Sequence, residues 1–283
     1  MTGVWAIVRY GLQEAVRRRV FLVVLALTAL FLALYWLGNH YVFGELTQII
    51  PPANVDTRTF AASFLFGLAM FGTLFLGVVL AVFLTLGAVR GDAERGLLQP
   101  LVVRPLGRPA FLAARWLGCA LVCIPYVLCV YFAAMLITGA TGHWWPDSIV
   151  VPGLELAAGV VLIAALSLLG SVFLTATANG IAVFMVFGCG LVAGLLSTVG
   201  HALPSHTLIH ASKVAAWILP FEALYEDALH GITKETSGLT GFLLRLGPFG
   251  GAEAGGASLR LWTIGYFVVV SVVALVAFAR RDL

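Results

Sequence analysis

The 283-residue chain is 61% hydrophobic and 10% charged, with a mean hydropathy of +1.04, so it has too little polar surface to cover a water-soluble globule of this size. Its net charge of +3 is small, and no long basic run of the kind that tracks a phosphate backbone is present, so no nucleic-acid partner is expected. Lipid is its main solvent, and the expected fold class is an all-α integral membrane protein formed by a single transmembrane domain over residues 1–283.

Residues 1–19 carry a helical period. Val4, Ile7, Val8, Leu12, Ala15 and Val16 recur at three- and four-residue steps, while Arg9, Gln13, Glu14, Arg17 and Arg18 face elsewhere. Trp5 and Tyr10 suit the headgroup level, and Arg19 closes the basic stretch, so an interfacial helix along the membrane surface is expected. It acts either as a positive anchor for topology or as a lever against a cytoplasmic partner. The apolar run after it has no small-residue cleavage site, so it is expected to remain attached.

A window of the roughly 20 residues that cross a hydrocarbon core finds six candidate transmembrane helices, at 20–37, 60–89, 116–138, 156–175, 181–199 and 259–279. The second is 30 residues long, about 45 Å as a helix, which predicts tilt or an extension into the loop that follows. That loop, 90–115, holds five arginines and the only dense patch of charge in the chain. The fourth and fifth helices are separated by Ala176, Thr177, Ala178, Asn179 and Gly180, which predicts a tight antiparallel hairpin with Asn and Gly in the turn.

The connection 200–258 is too long for a turn and too apolar for disorder. Phe221, Leu224, Tyr225, Ala228 and Leu229 oppose Glu222, Glu226, Asp227 and His230, with Pro220 before them and Gly231 after. A short amphipathic helix is expected there, resting on the outer surface or capping a pathway. Residues 247–256, rich in glycine, predict a flexible hinge before the last helix.

Eleven of the sixteen basic residues fall before the first helix, between the second and third, or after the last. The positive-inside rule therefore places both termini and residues 90–115 in the cytoplasm. The remaining five, Arg58, Lys213, Lys234, Arg245 and Arg260, are spread over the longer loops of the other side.

Catalytic signatures are absent from the sequence. The two lysines, Lys213 and Lys234, follow no glycine-rich loop, so the chain has no Walker A motif, and it has neither a Gly-x-Ser-x-Gly elbow nor a His-Glu-x-x-His pair. No catalytic residue is assigned. No strong acid or base lies deep in a span, Glu155 at the outer edge of its helix being the nearest exception, which argues against a proton-coupled carrier or a six-span membrane enzyme. Cys119 and Cys123 share a helical face and could in principle offer soft ligands, and His206 and His210 stand at helical spacing near His201. Their ordinary roles, as small apolar residues and interfacial polar residues, outweigh a metal reading, and no metal site is assigned. Gly67, Gly72 and Gly77 in the second helix and Gly188, Gly190 and Gly194 in the fifth permit close helix approach, within one subunit, at a dimer seam or along a pathway.

A basic amphipathic N-terminus, six spans, a charged loop after the second and a terminal Arg-Arg-Asp-Leu together resemble the membrane subunits of ABC-2 type ATP-binding cassette transporters. The resemblance is most specific at Gly91, Asp92, Glu94, Arg95 and Gly96, followed by Arg104-Pro-Leu-Gly-Arg108 and Ala114-Arg115, and it extends to Ile218-Leu-Pro-Phe-Glu-Ala-Leu-Tyr225. The chain departs from the family pattern at Leu97, Gly107 and Pro100. The resemblance implies that the loop over 90–108 is a coupling helix seated on a separate ATPase subunit, present in two copies and carrying the ATP and Mg, while this chain binds no cofactor. It also implies a second permease, as a homodimer or close heterodimer, in the inner (cytoplasmic) membrane. Apolar, uncharged walls then suggest export of an amphipathic or lipid-like substrate. The layout also resembles the permeases of copper-enzyme maturation systems, which would imply a small exported species and an extracytoplasmic protein partner.

Overall fold

A computed structural model of the chain describes residues 19–46, 56–86, 108–203, 206–233 and 255–280. All ordered elements among them are helices. They are α1 (Arg19–Leu46), α2 (Thr57–Thr85), α3 (Arg108–Gly142), α4 (Val151–Phe173), α5 (Ala176–Ala202), α6 (His206–Ile218), α7 (Pro220–Ile232) and α8 (Gly256–Ala279). Six of these, α1 to α5 and α8, are long and apolar enough to cross a membrane. The expected interfacial helix up to residue 18 and residues 90–107 of the expected coupling loop 90–115 lie outside the described residues, while residues 108–115, expected as loop, form the start of α3.

The core is built where α2, α3 and α4 meet. Phe66, Met70, Leu74, Val78 and Leu80 of α2 pack with Cys123, Val127, Tyr131, Leu156, Val160 and Ile163. Gly77 makes this closeness possible, since a Cβ there would stand 2.8 Å from Val160 and 2.9 Å from Val127. Phe66 packs against Tyr131 with ring centroids 5.5 Å apart. Van der Waals fit of this kind supplies the attraction between helices in lipid, where chain-to-chain hydrophobic driving force is absent.

Hydroxyl pairs fix α1 to α3. Thr28 donates to the Val24 carbonyl at 2.7 Å, which leaves its oxygen to accept from Tyr126 at 2.5 Å. Further along both helices a matching pair recurs with the residue types exchanged, Tyr35 donating at 2.6 Å to Thr138, whose own proton goes to the Ala134 carbonyl. The two helices are therefore parallel. In contrast, Phe111 of α3 packs with Phe278 of α8, and Trp116 with Phe267, so that pair runs antiparallel. Thr85, Phe111, Val172, Asn179 and Phe278 mark one end of the bundle; His143, Glu155, Asp227 and Arg260 mark the other.

Helix boundaries differ from the sequence expectation for local reasons. The extra length of α2 lies at its beginning: Asp56 caps the first turn by accepting from the Arg58 and Thr59 amides at 3.1 and 3.2 Å, and the Thr59 hydroxyl with those amides holds its carboxyl below the usual range. At its other end α2 stops at Thr85, and Leu86 is extended. Helix α3 starts at Arg108, eight residues before the expected span, and ends where His143 takes a left-handed φ of 51° and donates to the Gly139 carbonyl at 3.1 Å. The α4–α5 turn is also shorter than expected. Leu174 and Thr175 make it, and Asn179 and Gly180 already belong to the first turn of α5.

The largest departure concerns α7. Its polar face does not rest on a surface: Glu222, Glu226 and Asp227 are buried together with Phe221, Leu224, Tyr225 and Ala228. Helix α6 folds back on the end of α5, with Ile209 against Gly200, and α7 then enters a slot between the long helices. Three glycines line that slot: a Cβ at Gly67 would stand 3.3 Å from the Leu229 side chain, one at Gly159 would stand 3.6 Å from the Phe221 carbonyl, and one at Gly190 would overlap the Phe221 ring. At Gly190 a side chain would collide with the Phe221 ring, so that position lets α7 come near only as glycine.

These contacts predict a contrast between two glycine substitutions. Gly77→Leu should destabilise the fold by about 1–3 kcal/mol through overpacking, read as a lower melting temperature of the purified protein in lipid. Gly188→Leu meets open space and should leave the melting temperature unchanged.

Candidate functional site

At the Thr85 end, a chain of hydrogen bonds ties three helices together. Thr85, the last residue of α2, bonds back to the Ala81 carbonyl at 2.7 Å and lies 2.7 Å from the Ser167 hydroxyl of α4. The Asn179 amide of α5 donates to the Ser167 carbonyl at 2.9 Å and approaches its hydroxyl at 3.3 Å. All three side chains are buried. Gly170 leaves room for the Asn179 carbonyl oxygen, which is buried without a hydrogen-bond partner. Such a cluster in an apolar interior specifies one arrangement of its helices, because any other leaves polar groups unpaired.

Beside this clamp an open, shallow apolar groove of about 480 Å³ runs between α2 and α5, lined by Phe83, Leu86, Thr177, Gly180, Ile181, Phe184 and Met185. Ile181 and Met185 are largely exposed. The groove can take an acyl chain or the apolar body of an amphipath, and the clamp sits where it would feel α2 and α5 separate.

The opposite end is held by charge. Arg260 of α8 donates to Glu155 of α4 through Nε at 3.1 Å and Nη2 at 2.8 Å, and through Nη2 to Asp227 of α7 at 3.2 Å. The other Asp227 oxygen accepts from the Gly255 amide at 3.0 Å, at the entry to α8 where Gly256 takes a φ of +64°. One guanidinium thus pins three helices, its own side chain half exposed while both carboxylates are buried. Glu222, about a turn and a half back along α7, is 2% exposed and neither of its oxygens has a hydrogen-bond partner. Burial pushes its carboxyl up to about 8.

The sequence candidates fall as follows. Gly91, Asp92, Glu94, Arg95, Gly96 and Arg104 lie outside the described residues, as do Trp5, Arg9, Arg17 and Arg18; Arg108 and Arg19 are the first residues of α3 and α1. Of the glycines, Gly72 faces Phe31 of α1, Gly67 and Gly190 face α7, Gly77 faces α3 and α4, Gly194 is buried, and Gly188 meets open space. Cys119 and Cys123 place their sulfurs 3.7 Å apart in the core. Among the described residues, no group of three His, Cys, Asp or Glu side chains is arranged for a metal ion. His206 and His210 are exposed.

Sequence reasoning passed over Asn179, Arg260 and Glu222. Asn179 was masked by its Gly neighbour, which reads as a turn; Arg260 stands at the edge of its span. The signal that could have found the α7 acids is their setting: three carboxylates within six residues of an otherwise apolar stretch, with no lysine or arginine among them.

Six helices long and apolar enough to cross a membrane, with the short α7 buried between the last two of them, define a multi-pass membrane protein. The chain belongs to the ABC-2 family of transporter proteins, whose family model matches residues 5–283. It is similar to the probable ABC transporter permease protein NosY of Pseudomonas aeruginosa, 27% identical over 218 residues that cover 72% of this chain and 75% of that protein. It is therefore a permease subunit of an ABC transporter, of a kind that works with an ATPase subunit.

The Arg260 latch predicts that a triple variant is more stable than the single one. Arg260→Gln leaves two buried carboxylates without a counter-charge and should cost about 1–3 kcal/mol of stability. Adding Glu155→Gln and Asp227→Asn should recover most of the lost melting temperature, and a lack of recovery would show that the arginine acts through its stem alone.

Proposed function

We infer that this permease exports an amphipathic or lipid-like substrate, driven by ATP that a separate pair of ATPase subunits binds with Mg and hydrolyses. Two permeases, identical or closely related, complete the transporter in the inner membrane. The Thr85 end faces the cytoplasm with both chain termini, as the distribution of arginines requires. The substrate enters by the groove between α2 and α5 and leaves toward the Glu155 end.

The observation that carries this reading is the clamp at the end of α2. The helix ends at Thr85, and the arginine-rich segment over 90–108 follows within five residues. A movement imposed on that segment by an ATPase meets α2 at the point where it is hydrogen bonded to α4 and α5 and where the apolar groove lies. A closing ATPase pair can do work in the membrane only through such a stiff path. Asp92, Glu94, Arg95, Arg104 and Arg108, with Gly91 and Gly96 between and beside them, are the residues proposed to seat the ATPase.

Glu94→Arg tests it. A reversed charge in a partly desolvated contact costs several kcal/mol, so expression and folding should stay near normal while ATPase co-purification or stimulated ATP hydrolysis falls at least about tenfold. Normal association and hydrolysis would reduce the segment to an anchor for topology.

A further inference from the structure

Glu222 is the one described side chain whose chemistry the transport reading does not use and whose surroundings do not suit it as an anion. Both of its oxygens are buried, and neither has a partner. The elements packed around α7 bring no charge to it. On α4 the acid is Glu155, bound to Arg260. On α8, Arg260 is engaged with Glu155 and Asp227, and Tyr266 packs in the cluster that holds Ala223 and Leu224. Helix α6 contributes His206, His210 and Lys213, all exposed; among described side chains α5 offers only Cys189, exposed, and α2 only Arg58, exposed at its start. Within α7 itself the close charges, Glu226 and Asp227, are negative; Tyr225 donates to the Gly67 carbonyl at 3.3 Å, and the half-buried His230 lies two turns on. An ionised carboxylate cannot be held there, because an isolated buried charge costs far more than proton uptake.

We propose that Glu222 is a proton-binding site that keeps α7 seated in the bundle. The carboxyl is docked as the neutral acid. When α7 leaves its slot, the O–H bond breaks, the electron pair stays on the carboxylate and the proton passes to water; re-docking takes one proton back. The slot walled by Gly67, Gly159 and Gly190 opens as the helix leaves, so the proton controls access to the interior from the Glu155 end. This inference stands independently of the ATPase reading.

The sign follows from linkage. The docked carboxyl titrates higher than the ordinary value of 4.5, at about 8, so the docked state holds the proton more tightly. Docking is strongest below the ordinary value, weakens by up to about tenfold per pH unit through that window, and is weakest above it.

The test uses the purified permease in lipid nanodiscs. Infrared titration should show a protonated carboxyl band at about pH 6 that is missing in Glu222→Gln. Amide exchange over 220–232, corrected for intrinsic rates, should quicken at least about tenfold between about pH 6 and pH 9 in the native protein and stay flat in Glu222→Gln. Glu222→Met, of similar volume, gives the same comparison if the amide does not fold. The proposal is overturned if the variants retain the band, or if they loosen with pH as the native protein does, which would assign the effect to the Glu155, Asp227 and Arg260 latch. A band lost with Glu222 and exchange that stays flat in the native protein would also overturn the seating role.

Discussion

The seating of α7 among the long helices is the constraint on which the rest of this structure hangs. A helix of 13 residues with three acids is a poor solute for an apolar bundle, and it can be buried only if its backbone fits closely and its charges are neutralised. Gly67, Gly159 and Gly190, on three different spans, supply the fit. Arg260 supplies the counter-charge for Asp227 and, with Glu155, fastens α8 and α4 at the same point. Gly67 of α2 and Gly190 of α5 thus face a helix of their own chain.

Two ends of one rigid element answer to different chemistry. Helix α2 runs from the Asp56 cap to the Thr85 clamp and meets α1, α3, α4, α5 and α7 on the way. Near the middle it is locked by side-chain fit, and close-packed interiors switch between discrete arrangements instead of deforming smoothly. A displacement at Thr85 is therefore carried to Gly67 and to α7. Neutral hydrogen bonds hold the Thr85 end of α2, while at the opposite end of the bundle ion pairs fasten α4, α7 and α8 to one another. Interhelical hydrogen bonds in membranes average under about 1 kcal/mol, so the Thr85 clamp specifies a position and still lets it change.

Much of this was legible in the amino-acid order. Apolar runs define the six spans because lipid leaves a helix no other way to satisfy its backbone, and the family resemblance, which extends over nearly the whole chain, is most specific within residues 91–108. What could not be read was depth. The pattern of α7 is that of a surface helix, and amphipathic spacing does not say whether the polar face meets water or a partner on another helix. Arg260 and Glu155 are 105 residues apart, and neither alone signals a pair. Asn179 next to Gly180 favours a turn by local propensity, but its side chain finds Ser167 and tertiary contact overrides the local preference.

The central claim is that force enters through the end of α2 and moves it relative to α5. A cysteine pair across the groove, Phe83→Cys with Ile181→Cys in a background lacking the four native cysteines, tests it in the permease assembled with its ATPase. A short bifunctional thiol reagent should link the pair in the nucleotide-free state, lose most of that reactivity with ATP and vanadate, and once linked should suppress ATP-driven turnover. Equal linking in both states with unimpaired turnover would contradict the account.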